Sequence, residues 1–122
     1  MKVYKCNQCG NIISMISASG VPVMCCGKKM EEMVPNTVDA SAEKHVPVVE
    51  VTANKVEVVI GEVQHPMAEE HYIEWIVVEY PNHYRTYHLN PNDEPKVKIC
   101  GNCDPINMYA YCNIHGLWEM DK

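Results

Sequence analysis

The sequence predicts an all-β protein in which a small cysteine-rich metal module precedes a β-sandwich. Two observations lead to this prediction. Several short runs of β-branched and aromatic residues are separated by turn-forming residues, which is typical of a sandwich. Four of the seven cysteines lie within the first 26 residues, ahead of those runs. No segment has the apolar spacing of a helix longer than two turns.

The predicted strands follow one another from residue 46 onward. The clearest is the segment YIEWIVVEY at residues 72–80, whose β-branched and aromatic side chains suit a pleated surface. Turns are predicted at Ala53 and Asn54 and again at Pro81 and Asn82. The full set of predicted strands comprises residues 46–52, 55–60, 72–80, 83–89, 96–100, 108–112 and 117–120.

The composition divides the chain near residue 35. Residues 1–35 hold four cysteines and are too few to bury a stabilising core, so a bound metal would supply the missing stability. Residues 36–122 contain all the predicted strands and form the second domain. We therefore predict a metal module at 1–35 and a β-sandwich domain at 36–122.

Net charge and cysteine content exclude several classes of protein. A formal net charge of −6 without a basic patch argues against nucleic-acid binding. No apolar run approaches the roughly 20 residues needed to span a bilayer, so no membrane partner is expected. The first residues show no signal-peptide core, and an odd number of grouped cysteines is more typical of metal binding than of disulfides. We expect a cytoplasmic protein.

The first candidate metal site is a set of four thiols. Four thiolates suit a tetrahedral iron or zinc ion, and Gly10 after the CxxC pair can take the positive φ that such a turn often needs. The second pair is adjacent, and neighbouring side chains on extended backbone point apart, so the backbone must bend there. The spacing alone leaves a structural zinc site and an iron site equally open. The predicted ligands are Cys6, Cys9, Cys25 and Cys26.

The second candidate site combines histidines with a cysteine at the end of a predicted strand. Cys112 and His115 form a CxxH pair, which can chelate one ion as a CxxC pair does. Imidazole suits iron, copper, zinc or nickel, and a thiolate adds soft negative charge. The predicted ligands are His45, His65, His71, Cys112 and His115. His83 and His88 lack comparable contexts and are expected on a solvated strand face.

Together these motifs resemble desulfoferrodoxin, the two-iron class of superoxide reductases. The cysteine motifs CxxC and CC are similar to a desulforedoxin-like module. The segments EKHVP, HPM, HYIEW and CNIHG are similar to the signatures of the neelaredoxin-like catalytic domain. They occur in family order over nearly the whole chain.

The resemblance implies a fold, two cofactors and a reaction. Residues 36–122 would form an immunoglobulin-like β-sandwich, and each chain would hold one Fe(Cys)4 and one Fe(His)4(Cys) centre. Cys112 would be the axial ligand below an equatorial plane of four imidazoles. Glu43 would bind the oxidised iron and leave on reduction, and Lys44 would help to attract superoxide. The expected activity is reduction of superoxide to hydrogen peroxide without dismutation, with rubredoxin or a similar protein as electron donor to a homodimer.

One segment departs from the family pattern. Cys100 and Cys103 form a CxxC pair that has no second pair beside it. Three interpretations stay open: two reduced thiols on a hairpin, a reversible disulfide, or a further metal site shared across a dimer interface.

Two other functions compete with the reductase. A rubredoxin-like electron carrier would keep both sites closed to exogenous ligands, and a zinc-stabilised binding module would have no redox role. The cysteine iron itself could relay electrons or only stabilise the small module.

Overall fold

The computed structural model describes residues 1–52, 55–100 and 104–120. The chain divides into two compact units, Met1–Val34 and Pro35–Lys122. Strands make up nearly all the regular structure described, so the all-β prediction is confirmed. The helical structure in the described residues has neither the length nor the apolar character that a membrane span requires.

The first unit is built from five short strands. Three of them form an antiparallel sheet in the order β2-β1-β5, and the other two pair as the hairpin β3-β4. Few of its apolar side chains are buried, so short ladders of backbone hydrogen bonds carry much of its regular structure. The strands are β1 (Val3–Lys5), β2 (Ile12–Ser14), β3 (Met24–Cys25), β4 (Lys28–Lys29) and β5 (Glu31–Met33).

The second unit contains two antiparallel sheets. One has three strands in the order β10-β7-β6, and the other has four in the order β12-β11-β8-β9. A one-turn helix, α1, precedes the first of these strands. The elements are α1 (Ala42–His45), β6 (Pro47–Thr52), β7 (Lys55–Ile60), β8 (Ile73–Glu79), β9 (Tyr84–His88), β10 (Lys96–Ile99), β11 (Asn107–Cys112) and β12 (Gly116–Glu119).

One apolar core joins the two sheets of the second unit. Strands β7 and β10 contribute residues from one sheet, and β8 and β11 contribute residues from the other, as in a β-sandwich. Alternate residues of β11, including Met108, Ala110 and Cys112, point into this core and are fully buried. The core therefore fixes the position of Cys112 at the end of β11.

The predicted strand positions agree with the structure in the second unit. The strand predicted at residues 72–80 is observed as Ile73–Glu79, and the only helix among the described residues has four residues. The predicted turn at Ala53 and Asn54 lies outside the described residues. The five strands of the first unit were not predicted, because their two- and three-residue lengths leave no periodic pattern to detect.

Candidate metal centres

The four cysteines of the first unit converge on one point, which we call the cysteine site. Their sulfur atoms all lie within 4.8 Å of one another, with Cys9 Sγ 3.6 Å from Cys25 Sγ and 4.0 Å between the sulfurs of Cys25 and Cys26. Four sulfurs at about 2.3 Å from a tetrahedral ion are about 3.8 Å apart. The spacing of the cysteine site therefore fits one tetrahedral ion.

Residues with positive φ allow both cysteine pairs to converge on the cysteine site. Gly10 has φ +85° and donates its N–H to the Cys6 carbonyl at 2.9 Å, which closes the first turn. Cys26 itself has φ +53° and is followed by Gly27 at +73°. This left-handed residue supplies the bend that the adjacent cysteines require, because extended backbone would send the two sulfurs to opposite sides.

The thiols of the cysteine site are unequal before metal binding. Backbone N–H groups of Cys9 and Gln8 point at the Cys6 sulfur and lower the pKa of that thiol to about 6. The neighbouring thiols, that of Cys9 above all, raise the pKa of Cys25 and raise that of Cys26 to about 12. Four negative sulfurs repel one another at this distance, so a cation is what allows all four to ionise.

Four imidazole rings of the second unit lie at the corners of a square. Going round the square, neighbouring ring centroids are 4.6, 4.7, 5.1 and 4.9 Å apart, and each ring is turned by 73° to 88° from the next. One diagonal, from His45 to His71, measures 6.4 Å. The corners in order are His45, His65, His71 and His115.

The nitrogens that face the centre of this square are close together. His45 Nε2 is 3.1 Å from His65 Nε2 and 3.1 Å from His115 Nδ1. Two nitrogen ligands about 2.1 Å from one ion and at right angles are about 3.0 Å apart. The sides of the square therefore have the length that a shared ion requires.

Carbonyl groups fix the tautomers of two of these histidines. His45 Nδ1 lies 2.6 Å from the Ser41 carbonyl oxygen, and His65 Nδ1 lies 2.6 Å from that of Pro66. A carbonyl only accepts, so each Nδ1 carries the proton and each neutral ring turns an Nε2 lone pair inward. Two lone pairs that face each other at 3.1 Å repel unless a cation lies between them.

His71 and Cys112 complete the arrangement. The Nε2 atom of His71 is buried and has no hydrogen-bond partner in the part of the chain that the structure describes, which is unusual for a buried polar atom. The ligand atoms of His45, His65, His71 and Cys112 all lie within 4.8 Å of one another. His115 Nδ1 is 3.9 Å from Cys112 Sγ. We call these five residues the histidine–cysteine site.

Burial prepares the imidazoles to act as neutral ligands. It lowers the pKa of His45 and His71 and lowers that of His65 to about 4, so these rings are uncharged at neutral pH. Burial also raises the pKa of the Cys112 thiol, and the backbone N–H groups of His115 and Ile114 oppose that effect. The His115 N–H lies 3.5 Å from the Cys112 sulfur, where it stabilises thiolate charge.

Glu43 and Lys44 lie on α1, directly before His45, and both are exposed. The positive charge of Lys44 reaches the histidine–cysteine site, because it adds to burial in lowering the pKa of His45 and His71. A positive side chain such as Lys44 at the rim of a metal site raises the local concentration of anions.

The remaining sequence predictions have mixed outcomes. His83 and His88 are exposed, as expected from their contexts. Cys100 is exposed, whereas Cys103 lies outside the described residues, so the three interpretations of that pair stay open.

Sequence reasoning missed the residues that support the ligands. Trp118 stacks on His45 with centroids 4.8 Å apart and donates its indole N–H to the His115 carbonyl at 3.1 Å. Asn113 connects the turn that carries Cys112 to the segment that carries His71. Asn113 stands inside the CNIHG motif, which was a signal for its importance, but nothing in the sequence marked Trp118.

Comparison with known proteins identifies the family. The Desulfoferrodoxin family model matches residues 37–121, and the model of the desulfoferrodoxin N-terminal domain matches residues 1–33. A desulfoferrodoxin homolog of Archaeoglobus fulgidus is 48% identical over 98% of this chain and 95% of its own length. The desulfoferrodoxin of Nitratidesulfovibrio vulgaris is 43% identical over 98% of this chain and 95% of its own length.

A solved structure covers the same span. The superoxide reductase from Treponema pallidum matches with a TM-score of 0.76 and 31% identity, over 99% of this chain and all of that one. The tetrathiolate set and the imidazole–thiolate set described above fit two iron ions per chain. The chain is a member of the desulfoferrodoxin family.

Proposed function

We propose that this protein is a superoxide reductase that works at the histidine–cysteine site. The observation that carries the proposal is the square of inward-facing imidazole nitrogens beside the buried Cys112 thiol, with Lys44 at its rim. The likeness to the superoxide reductase of Treponema pallidum supports it. The reaction adds one electron and two protons to superoxide and yields hydrogen peroxide.

An iron ion held by these five residues would supply the electron. Four neutral imidazoles and one thiolate leave a ferrous site with a local charge near +1, which favours an anion. The protein as a whole carries −6, but a nearby cation outweighs distant charges at close range. Lys44 adds to the attractive field and so raises the rate of encounter.

The Cys112 thiolate decides the direction of electron flow. With iron bound, its donation of electron density would favour the oxidised state, so the oxidised site would be a weak oxidant. Such a site would reduce superoxide but would not oxidise a second superoxide to oxygen. The protein therefore acts as a reductase, and an external donor must reduce it after each turnover.

Protons come from the exposed side of the site. Lys44 and Glu43 are solvent-accessible on α1, and water beside Lys44 is the proposed proton source. We assign Glu43 as the carboxylate that closes the site in its oxidised state and withdraws on reduction. Ready proton delivery favours release of hydrogen peroxide over cleavage of its O–O bond.

The cysteine site has two possible roles in this scheme. A tetrathiolate iron changes its redox state with little rearrangement, so it can relay electrons from a donor. It can also act only as the stabilising centre of Met1–Val34, whose buried apolar residues are few. Cys9→Ser separates these roles, because loss of re-reduction with an unchanged rate toward superoxide favours the relay.

The cellular setting is also proposed. The five cysteines of the two candidate metal sites form no disulfide among the described residues, which suits the reducing cytoplasm. The family resemblance suggests a homodimer that takes electrons from rubredoxin or a similar carrier.

The test is the second-order rate of the iron-loaded, reduced protein with superoxide at several salt concentrations. Lys44→Ala should lower the rate about tenfold and flatten its salt dependence, since steering by local charge contributes on the order of 10-fold or more. Lys98→Ala, which removes an equal charge from β10, is the control and should leave both close to the parent values. Equal behaviour of the two variants would contradict the role of Lys44, and no reaction in any of them would contradict the reductase.

A further inference from the structure

The turn that follows β7 closes on the helix that carries Glu43 and Lys44. Gly61 donates its backbone N–H to the Val46 carbonyl at 3.1 Å, and Val63 donates to the Glu43 carbonyl at 3.0 Å. These two hydrogen bonds hold the segment from Glu43 to Val46, which covers most of α1 and its C-cap, at both of its ends. We call the segment 61–63 the clamp turn.

Only glycine fits at the first position of the clamp turn. Gly61 has φ +84°, a conformation that other residues adopt with strain. A Cβ atom there would stand 2.5 Å from the Lys44 carbonyl oxygen, 2.6 Å from the Lys44 carbonyl carbon and 2.5 Å from the Val63 carbonyl oxygen. All three atoms belong to the backbone, so no change of rotamer can relieve the clash.

The other described glycines of positive φ do not share this crowding. A Cβ at Gly116, φ +77°, would meet only the Val38 side chain at an ordinary 3.6 Å. At Gly10, Gly20 and Gly27 it would meet nothing within 4 Å. The close approach at Gly61 is therefore a property of its contact with Lys44 and is not a consequence of positive φ alone.

The clamp matters because α1 has little stability of its own. The helix spans four residues, and its N-cap, Ser41, makes no side-chain capping hydrogen bond. An isolated helical turn is unstable in water, so tertiary contacts must hold it. Among the described residues, neither Glu43 nor Lys44 takes part in an ion pair that would restrain its side chain.

The clamp turn also leads directly to the metal site. It connects the end of β7 to His65, while α1 ends at His45, and these two rings form one side of the imidazole square. A displacement of the turn relative to α1 would therefore move Lys44 with respect to the corner formed by His45 and His65.

We propose that Gly61 is a positioning residue, whose missing side chain lets the clamp turn fix Lys44 and Glu43 over the His45–His65 corner of the site. The inference rests on the proposed function for its consequence, but the clamp itself can be tested without it. In Gly61→Ala the Lys44 carbonyl must retreat by at least about 0.5 Å, since real Cβ contacts shorter than 3.0 Å are essentially never seen. That movement should weaken the bond from Val63 to Glu43.

The experiment compares Gly61→Ala with Gly116→Ala in the full-length, metal-loaded protein. Both variants add one methyl group at positive φ in the same unit, but only the first contacts Lys44. Three quantities are measured: amide hydrogen exchange of Val63 in the zinc-loaded form, azide affinity of the oxidised form followed by visible absorption, and the rate with superoxide. Each is repeated in a Lys44→Ala background.

The proposal predicts a specific pattern. Gly61→Ala should speed exchange of the Val63 amide and should lower both azide affinity and the superoxide rate about tenfold, which is the lower end of what local electrostatic focusing contributes. In the Lys44→Ala background the additional effect of Gly61→Ala on both quantities should shrink to less than about twofold, because coupled residues are non-additive. Gly116→Ala should leave Val63 exchange and the salt dependence unchanged.

Three results would overturn the proposal. Unchanged protection of the Val63 amide in Gly61→Ala would show that there is no clamp. Equal losses with and without Lys44 would show a general structural effect. Equally fast exchange of the Val63 amide in Gly116→Ala would assign the effect to strain at positive φ. If the parent protein neither binds azide nor reacts with superoxide, the proposed function fails, and the clamp is then judged by Val63 exchange alone.

Discussion

Asn113 should contribute more to the stability of the second unit than an exposed asparagine ordinarily does, because its side chain joins two ligand-bearing segments. Its Oδ1 accepts the Tyr72 backbone N–H at 2.9 Å, and its Nδ2 donates to the Glu70 carbonyl at 3.0 Å. Its own backbone N–H also donates to the Tyr72 carbonyl at 3.2 Å, and that bond survives substitution. Asn113→Ala therefore removes two bonds between the His71 segment and the Cys112 turn.

The magnitude follows from those two bonds. A net contribution of about 0.5–1.5 kcal/mol for each gives about 1–3 kcal/mol. One of the two bonds is solvent-exposed, so we expect about 2 kcal/mol for Asn113→Ala. Asn113→Asp keeps the acceptor for Tyr72 and loses the donor to Glu70, so about 1 kcal/mol is expected.

The assay is urea denaturation of the metal-free protein, followed by tryptophan fluorescence. Both tryptophans, Trp75 and Trp118, belong to the second unit, so the signal reports on that unit. Asn82→Ala is the control, because the one hydrogen bond that its side chain makes within the described ranges is to the adjacent His83, at an exposed position. In the iron-loaded form, release of metal to a chelator from the histidine–cysteine site should be about 10- to 100-fold faster in Asn113→Ala, as for other partners that orient metal ligands.

A loss of stability in Asn113→Ala no larger than that in Asn82→Ala would refute the reasoning, and so would an unchanged rate of metal release. In either case the two segments would be held by the core and the ligands alone.

Two further predictions concern stability at acidic pH and the effect of removing the metal. In the metal-free protein, stability of the second unit should fall as pH drops from about 6.5 to 4, by up to about 3 kcal/mol. The cause is that burial lowers the pKa of His65 to about 4, so the unfolded chain binds a proton at a higher pH than the folded chain does. Denaturation at pH 7 and at pH 4.5 should show the loss of stability. An equal loss in His65→Gln would contradict this cause. Removal of the ion from the cysteine site should unfold Met1–Val34, because only Val3, Cys6 and Met30 are buried apolar residues in that fully described unit. Amide exchange in β1 should then become fast, whereas persistent protection of Tyr4 would contradict it.

Much of the second unit could be predicted from the sequence, because its strands are long enough to show their composition. The valine-rich and aromatic segments correspond to β6, β7 and β8, and Pro81 and Asn82 separate β8 from β9. The first unit gave no such signal, since its strands have two or three residues and depend on cysteine geometry.

The motifs predicted which residue types act as ligands, but they did not predict the groups that orient those ligands. The carbonyls of Ser41 and Pro66 fix two tautomers, and any residue supplies a carbonyl, so no residue type marked those positions. The close approach of Gly61 to Lys44 likewise arises from tertiary packing between segments that are distant in the sequence. The adjacent cysteines are the opposite case, because their covalent geometry alone required the bend that Cys26 supplies.

The most direct test of the central claim is the stoichiometry of superoxide consumption by the iron-loaded protein with an excess of reductant. A reductase forms one hydrogen peroxide for each superoxide consumed and releases no oxygen, and this is the result we predict. One hydrogen peroxide and one oxygen for every two superoxide consumed, with no use of the reductant, would identify dismutation and contradict the account.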